Sequence, residues 1–190
     1  MNLLKDDVVL GDGGYVLELE RRGYIQAGPY TPEVAIEHPD ALEQLHLEFR
    51  RAGAQVLQAL TFYASEDKLH TSGHAHEVED INRAAVKVAR KAAGDNAIVA
   101  GVIALTPTFE SNDPDSHRRV REIFDQQVTL QKEEGVEFII GETFLNLKEA
   151  LIALEAVKAA GLVAMITMNF NGSGSPDGFT PEDCAKHLTD

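Results

Sequence analysis

Five short apolar runs, separated by segments of helical period, constrain this 190-residue chain more than any other feature. The runs cover residues 8–10, 55–60, 97–103, 136–140 and 163–168. Near-continuous apolar runs of this length are typical of parallel strands that are covered on both faces. We therefore predict five strands and, because helical segments lie between them, a parallel sheet with crossover connections.

The segments between the apolar runs repeat apolar residues at i, i+3 and i+4, as amphipathic helices do. They cover residues 41–52, 78–92, 120–128 and 147–157, and a glycine follows each as a stop signal. Thr180 and Pro181 resemble the capped start of a fifth helix. The predicted order is strand, helix, strand, helix, repeated, which right-handed crossovers join into an α/β fold.

Two architectures fit this order, an open doubly wound sheet and a closed (β/α)8 TIM barrel. The first run is followed by Gly11-Asp12-Gly13-Gly14, which lacks the third glycine of a dinucleotide fingerprint and carries an acid where a pyrophosphate would approach. The pattern therefore favours the barrel. Because such a barrel takes about 250 residues, we expect residues 1–190 to be its N-terminal part, about five βα units, incomplete at the C-terminus.

In a barrel the active site lies at the carboxyl ends of the strands. The predicted strand ends carry Asp12, then Thr61-Phe62-Tyr63, Thr106, Glu142 and Asn169. Asp12 and Glu142 are candidate site carboxylates, although Asp12 could instead cap a helix that begins near Tyr15, and Glu142 could simply be solvated.

Aromatic residues gather at the same predicted edge. Phe62 and Tyr63 follow the second run, and Tyr30 lies on the long first loop. Packing beneath a loop would explain the pair. A second interpretation is a binding site for a cationic methyl donor, because ring faces attract quaternary ammonium groups.

Histidines and the single cysteine give no metal motif. His70, His74 and His76 lie in a polar segment that we interpret as a solvated loop rather than a zinc site. The other histidines, among them His46, fall on or near polar helix faces and need no special role. Cys184 is expected to be a small buried thiol, and one cysteine excludes an intrachain disulfide, so the cytoplasm is the expected compartment.

Charge and hydropathy argue against nucleic acid and membranes as partners. The formal net charge of −14 repels phosphate backbones, which argues against nucleic acid. No apolar run approaches the roughly 18 residues of a membrane span, and no signal-peptide core is present, so no membrane association is expected. Whether the chain forms a homo-oligomer stays open.

Several motifs together resemble the betaine–homocysteine S-methyltransferase family, and the resemblance covers nearly the whole chain. They are Gly11-Asp12-Gly13-Gly14, Ala27-Gly28-Pro29-Tyr30, Glu37-His38-Pro39, Asn82, Thr106-Pro107, Gly141-Glu142-Thr143 and Pro181-Glu182-Asp183-Cys184. The most specific is residues 61–69, Thr-Phe-Tyr-Ala-Ser-Glu-Asp-Lys-Leu.

The resemblance implies a barrel that transfers a methyl group to homocysteine, giving methionine. It implies that Asp12, Gly13 and Glu142 bind homocysteine, and that Tyr30, Phe62 and Tyr63 line the methyl-donor pocket. Betaine is the donor implied by residues 61–69. A sulfonium donor such as S-methylmethionine is the alternative, because Thr143 follows Glu142 where betaine-specific members carry tyrosine.

The family holds a zinc ion with three late cysteines, and the resemblance places those positions beyond residue 190. We therefore expect no metal ligands and no bound cofactor in this chain. With about five of eight strands, the chain is also expected to self-associate or to be unstable through open apolar edges. The alternative function is a non-catalytic half-barrel that serves as a binding or interaction module.

Overall fold

The structure is a computed structural model that describes residues 8–26 and 33–189. Among its described elements, three helices precede the first strand, and at least one helix lies between each strand and the next. The helices are α1 (Tyr15–Arg21), α2 (Val34–Glu37), α3 (Pro39–Arg51), α4 (Glu66–Ser72), α5 (Val78–Ala93), α6 (Pro114–Glu133), α7 (Leu147–Ala159) and α8 (Pro181–Thr189). The strands are β1 (Val56–Gln58), β2 (Ile98–Ala104), β3 (Phe138–Phe144) and β4 (Val163–Met168).

The four strands form one parallel sheet in the order β1-β2-β3-β4. The order follows the sequence without reversal, whereas a doubly wound sheet changes direction at a switch point. The α/β class and the parallel sheet are confirmed, and the sequential winding is that of a barrel wall.

The prediction of a strand over residues 8–10 is wrong. This run forms no strand, and a single parallel bridge joins Gly11 to Val56. The carbonyl oxygen of Leu10 accepts the N–H of Gln55 at 2.8 Å. The side chain of Val8 is 95% exposed, so the run lacks the covering layer that a buried strand requires.

The main core lies between the helices and one face of the sheet. Leu57, Val99 and Ile139 are fully buried there, and helices α3, α5, α6 and α7 supply the facing side chains. The opposite face carries a smaller buried cluster of Ala100, Val102, Phe138 and Ile140. The alternation of side chains along each strand produces this division, and we call the second face the inner face.

Residues 66–77 are more ordered than the solvated loop that their composition predicted. His70 lies in α4, and His76 lies in a short 3-10 helix over Ala75–Glu77. The His74 imidazole contacts the carboxylates of Glu77 and Glu33. None of the helices described in the structure is long and apolar enough to cross a bilayer.

Candidate functional site

A cavity of about 470 Å³ opens on the inner face near the carboxyl ends of the strands. Residues 13–17 and residues 58–60 form two of its walls. The remaining lining residues are Glu20, Phe62, Tyr63, Val102 and Glu142. Four of the residues predicted from the sequence, counting Gly13, thus line one cavity of a size that suits a small molecule.

Asp12 adjoins this cavity through two residues that line it. Its Oδ2 accepts the backbone N–H of Gln58 at 2.6 Å and the hydroxyl of Tyr15 at 2.5 Å. Its Oδ1 accepts the side-chain amide of Gln58 at 3.0 Å. Burial raises the pKa of Asp12, and the donated hydrogen bonds oppose that rise. Helix α1 is capped by Gly14 without a side-chain bond, so Asp12 is not its cap.

Gly13 permits the close approach of α3 to the cavity. A Cβ atom at Gly13 would lie 2.7 Å from Cε1 of Phe49, closer than side-chain packing allows. Phe49 packs edge-on against Tyr15, with ring centroids 5.1 Å apart. Any other residue at position 13 would displace the aromatic wall behind the cavity.

Glu142 lies within β3 rather than beyond its end, and its side chain is half-buried on the inner face. The register between β3 and β4 shifts between Gly141 and Phe144, and Thr143 has a φ of 62°. Alternation along β3 places Glu142 on the inner face with Phe138 and Ile140, and the bulge turns Phe144, two residues later, into the helix-side core. A threonine in the left-handed region is an unusual conformation, which marks this turn as strained.

The two carboxylates influence each other across the cavity edge. Burial raises the pKa of Glu142, the negative charge of Asp12 raises it further, and the Lys68 ammonium lowers it. An added positive group would therefore be attracted by two nearby carboxylates. The arrangement suits the ammonium group of an amino acid.

The aromatic pair is held by a lysine that the sequence reasoning did not select. The rings of Phe62 and Tyr63 meet edge-on with centroids 4.7 Å apart. Lys68 Nζ lies 4.7 Å and 5.3 Å from these two centroids and donates to the Phe62 carbonyl oxygen at 2.9 Å. Burial lowers the pKa of Lys68 to about 8. Within residues 61–69, the Lys68 side chain thus packs against the two aromatic rings of the same segment.

A buried polar network supports the same stretch from the helix side. Asn82 Nδ2 donates to the carbonyl oxygens of Ala64 and Val78, both at 2.8 Å. Gln131 Nε2 donates to Asn82 Oδ1 at 2.9 Å, and the Thr61 hydroxyl donates to the Val102 carbonyl oxygen at 2.7 Å. Buried amides and hydroxyls need such partners, so this network fixes the loop that carries the aromatic pair.

Other predicted positions lie outside the cavity. Thr106 is buried, and its N–H and hydroxyl donate to Glu149 at 2.6 Å and 3.0 Å. Asn169 lines a different cavity, formed by the loop after β4. Tyr30 falls outside the described residues. Cys184 is a buried thiol in α8, as predicted.

The residues present do not fit the zinc that the resemblance implies. Across residues 8–26 and 33–189, no three histidine, cysteine or acidic side chains are grouped so as to hold a metal ion. Cys184, the one cysteine, lies in α8, where only 2% of its surface is exposed. We therefore assign no step of chemistry in this chain to a metal.

The fold and the cavity together define an α/β protein with a small-molecule site at the carboxyl edge of a sequentially wound parallel sheet. Comparison with known proteins makes the class specific. The model of the homocysteine S-methyltransferase family matches residues 9–190. The chain therefore belongs to the homocysteine S-methyltransferase family.

Relatives and solved structures agree with this placement. Betaine–homocysteine S-methyltransferase 1 of Sus scrofa is 45% identical over 187 residues, which cover 96% of this chain and 66% of that protein. The protein of the same name from Bos taurus is 44% identical over 187 residues, covering 96% of this chain and 46% of its own length. This chain thus spans between about half and two thirds of these relatives.

The fold is similar to that of a solved family member. Homocysteine methyltransferase MmuM from Escherichia coli, in its oxidised form, matches with a TM-score of 0.84 and 22% identity over 98% of this chain and 71% of that chain. Its metallated form matches with a TM-score of 0.83 and 22% identity, covering 98% of this chain and 72% of that chain. At this identity the similarity concerns the fold.

Proposed function

We propose that this chain binds homocysteine in the inner-face cavity and belongs to an enzyme that transfers a methyl group to its sulfur. The observation that carries the proposal is the approach of two carboxylates, Asp12 and Glu142, to one small cavity whose far wall is aromatic. Family membership and the names of the relatives support the substrate.

In this proposal Glu142 binds the homocysteine ammonium, while Asp12 and the backbone of Gly13 hold the amino-acid end. The faces of Phe62 and Tyr63 bind the methyl donor, whose positive charge is attracted to aromatic rings. Holding both reactants in one cavity would align sulfur with the methyl carbon, and such positioning supplies much of the rate of a displacement reaction. Tyr30 is proposed as a further donor contact.

The donor is proposed to be betaine, with S-methylmethionine as the alternative that Thr143 favours. Methionine is the proposed product, and the proposed setting is the cytoplasm. A zinc ion in the complete enzyme would favour the thiolate form of homocysteine. The described residues do not supply that metal site, so zinc dependence is proposed for longer family members and not for this chain alone.

The test of substrate binding is calorimetric titration of the reduced chain with L-homocysteine. Glu142→Ala is expected to weaken binding by about 2–4 kcal/mol if the ion pair is desolvated. The matched control is Glu155→Ala, which removes a carboxylate whose side chain is 71% exposed on α7. Equal affinity in Glu142→Ala and in the unmodified chain would remove Glu142 from the site.

A second titration distinguishes the donors and the alternative function. Betaine and S-methylmethionine are added separately, with and without homocysteine, and methionine is measured in the same samples with added zinc. Methionine formation would exclude the alternative, a binding module. Binding without methionine formation agrees with both functions, because the described residues supply no metal site. Absence of binding to homocysteine would contradict the proposed function.

A further inference from the structure

Three side chains at the edge of the cavity, those of Asp12, Tyr15 and His46, are joined by two consecutive hydrogen bonds. The Tyr15 hydroxyl lies 2.5 Å from Oδ2 of Asp12 and 2.6 Å from Nδ1 of His46. Tyr15 belongs to α1, His46 to α3, and Asp12 to the segment that bridges β1. Tyr15 is 7% exposed and His46 is fully buried, so water does not compete for these contacts.

The number of available protons decides which atom donates in each of the two hydrogen bonds. An ionised Asp12 can only accept, so the single proton of the Tyr15 hydroxyl is donated to it. His46 must then donate its Nδ1–H to the Tyr15 oxygen. Burial lowers the pKa of His46 to about 3, so the ring is neutral and Nε2 carries no proton. Nε2 is indeed a buried atom without a hydrogen-bond partner in the described structure, and an unpaired acceptor is tolerated better than an unpaired N–H.

Asp12 needs such support because of what surrounds it. It is half-buried, and its negative charge raises the pKa of Glu142, so the two carboxylates are close enough to repel each other. The donors that oppose this are Gln58, through its backbone and side chain, and Tyr15. Lys68 acts on Glu142, not on Asp12. Of the two side chains bonded to Asp12, Tyr15 is itself bonded to a buried group, the imidazole of His46.

We propose that Tyr15 and His46 are positioning residues of the homocysteine site, in which the tyrosine hydroxyl, fixed by the imidazole, keeps Asp12 ionised and oriented. This inference rests on the proposed function, since Asp12 acts there on the amino-acid end of the substrate. Tyr15 lines the cavity and His46 is buried next to it, and in this proposal both act through Asp12 rather than on the reacting sulfur. Their effect reaches the substrate through the charge of Asp12.

The proposal predicts a change in the pH dependence of binding. Without the hydroxyl, Asp12 keeps the Gln58 donors and its own backbone N–H but loses the Tyr15 donor, so it takes up a proton at a higher pH than in the unmodified chain. Attraction of the substrate ammonium is lost when Asp12 is protonated. The acidic limb of the binding profile should therefore move to higher pH in Tyr15→Phe, with about tenfold weaker binding at neutral pH.

Homocysteine affinity is measured by calorimetry from pH 5 to pH 8 in four variants that thermal melting shows to be folded. Tyr15→Phe and His46→Leu should both move the acidic limb upward. His46→Asn should restore it, because the asparagine amide can donate from nearly the position of Nδ1. Tyr24→Phe, at a tyrosine that is 42% exposed, is the matched control and should leave the profile unchanged. An unmoved limb in folded Tyr15→Phe overturns the proposal.

A second measurement decides the proposal even if homocysteine does not bind, an outcome that would contradict the proposed function alone. Nitrogen chemical shifts of His46 in the unmodified chain should show a neutral ring protonated at Nδ1. The carboxyl carbon of Asp12 should titrate at higher pH in Tyr15→Phe than in the unmodified chain. A His46 ring protonated at Nε2, or an Asp12 titration that is the same in both chains, overturns the proposal.

Discussion

The two faces of the sheet differ in what covers them. On the helix side, Leu57, Val99 and Ile139 are completely buried by facing helices. On the inner face the side chains of Val163 and Met165 in β4 are 63% and 49% exposed. Apolar burial is the largest stabilising term in folding, so the helix side holds the fold together. The inner face carries the candidate site.

The inner face also carries groups whose ionisation is unfavourable. Asp12 and Glu142 have raised pKa values because burial disfavours their charge, and the pKa of Lys68 is lowered for the same reason. Perturbed groups of this kind cluster at functional sites. The helix-side face therefore supplies most of the stability of the fold, whereas the inner face carries the charged groups of the candidate site.

The largest expected effect compares one apolar truncation on each face. Ile139→Ala should lower the free energy of unfolding by about 2–5 kcal/mol, because it leaves a cavity in the helix-side core. Val163→Ala, at a residue that is 63% exposed, should change it by less than about 1 kcal/mol. Urea denaturation of both variants measures the difference, and equal losses would break the distinction between the two faces.

A smaller effect on the free energy of unfolding is expected at Glu149, whose carboxylate accepts two hydrogen bonds from Thr106 at the carboxyl edge of the sheet. Burial raises its pKa to about 7 from an ordinary 4.5. Between these values the folded state holds more protons than the unfolded state, so stability should fall as pH rises from about 4.5 to about 7.

Glu149→Gln keeps an oxygen to accept from Thr106 but cannot ionise. Stability curves against pH should therefore be flatter in this variant, and it should be more stable than the unmodified chain at pH 8, by a difference on the order of 1–3 kcal/mol. Glu155→Gln, at an exposed position of α7, is the control. Parallel curves for Glu149→Gln and the unmodified chain would show that Glu149 is not desolvated.

Local patterns predicted the helix-side architecture well. Helices appear over each of the four periodic segments, and β4 spans the predicted residues 163–168. These elements depend on burial of one face, which the spacing of apolar residues records directly. The strand predicted over residues 8–10 does not form, because an apolar run alone does not guarantee a neighbouring element that covers it.

The site was predicted only in part, because its contacts join distant segments. Gly13, Phe62, Tyr63 and Glu142 do line one cavity. The bulge at Thr143 could not be foreseen, since threonine disfavours a positive φ.

The predicted position of His46 was wrong for a reason visible in the sequence. It was assigned to a polar helix face, yet it is fully buried in α3. Position 46 follows Leu42 by four residues and precedes Phe49 by three, so it lies on the apolar stripe. A histidine on such a stripe signals a buried hydrogen bond. Its partner, Tyr15, lies 31 residues away and no local pattern identifies it.

The next prediction concerns the tie between the loop after β4 and the helix layer. Asp177 accepts the N–H groups of Leu147 and Lys148 at 3.2 Å and 2.9 Å, at the first turn of α7. Burial pushes the pKa of Asp177 upward, but hydrogen bonds from these two N–H groups, the Ser175 side chain and its own backbone outweigh burial, so its pKa is lowered. Its stabilising contribution is therefore present above the unfolded pKa and is lost as pH falls through the folded value.

Asp177→Ala should lower the free energy of unfolding by about 1 kcal/mol at neutral pH, the usual effect of removing a helix-capping carboxylate. The difference should disappear in acid, where the unmodified carboxyl is protonated as well. Asp95→Ala, at an exposed turn, is the matched control. A loss of stability that persists unchanged at low pH would mean that the carboxylate charge is not the stabilising feature.

The smallest expected effect on stability, and the sharpest test of the open face, comes from lysine substitutions in β4. Among the described residues β4 pairs with β3 alone, so its other edge and its exposed Val163 and Met165 offer a template for association. Val163→Lys combined with Met165→Lys should change stability by less than about 0.5 kcal/mol, because neither side chain is buried.

The same pair of substitutions should reduce self-association, which size-exclusion chromatography with light scattering measures directly. Each lysine places a charge on an apolar edge, and such charges oppose strand pairing between molecules. Gln126→Lys combined with Thr129→Lys, at two exposed positions of α6, adds the same charge on the helix side and should leave association unchanged. If this control pair reduces association equally, the cause is net charge rather than the inner face. If the unmodified chain is already monomeric at high concentration, the exposed edge is not a site of association.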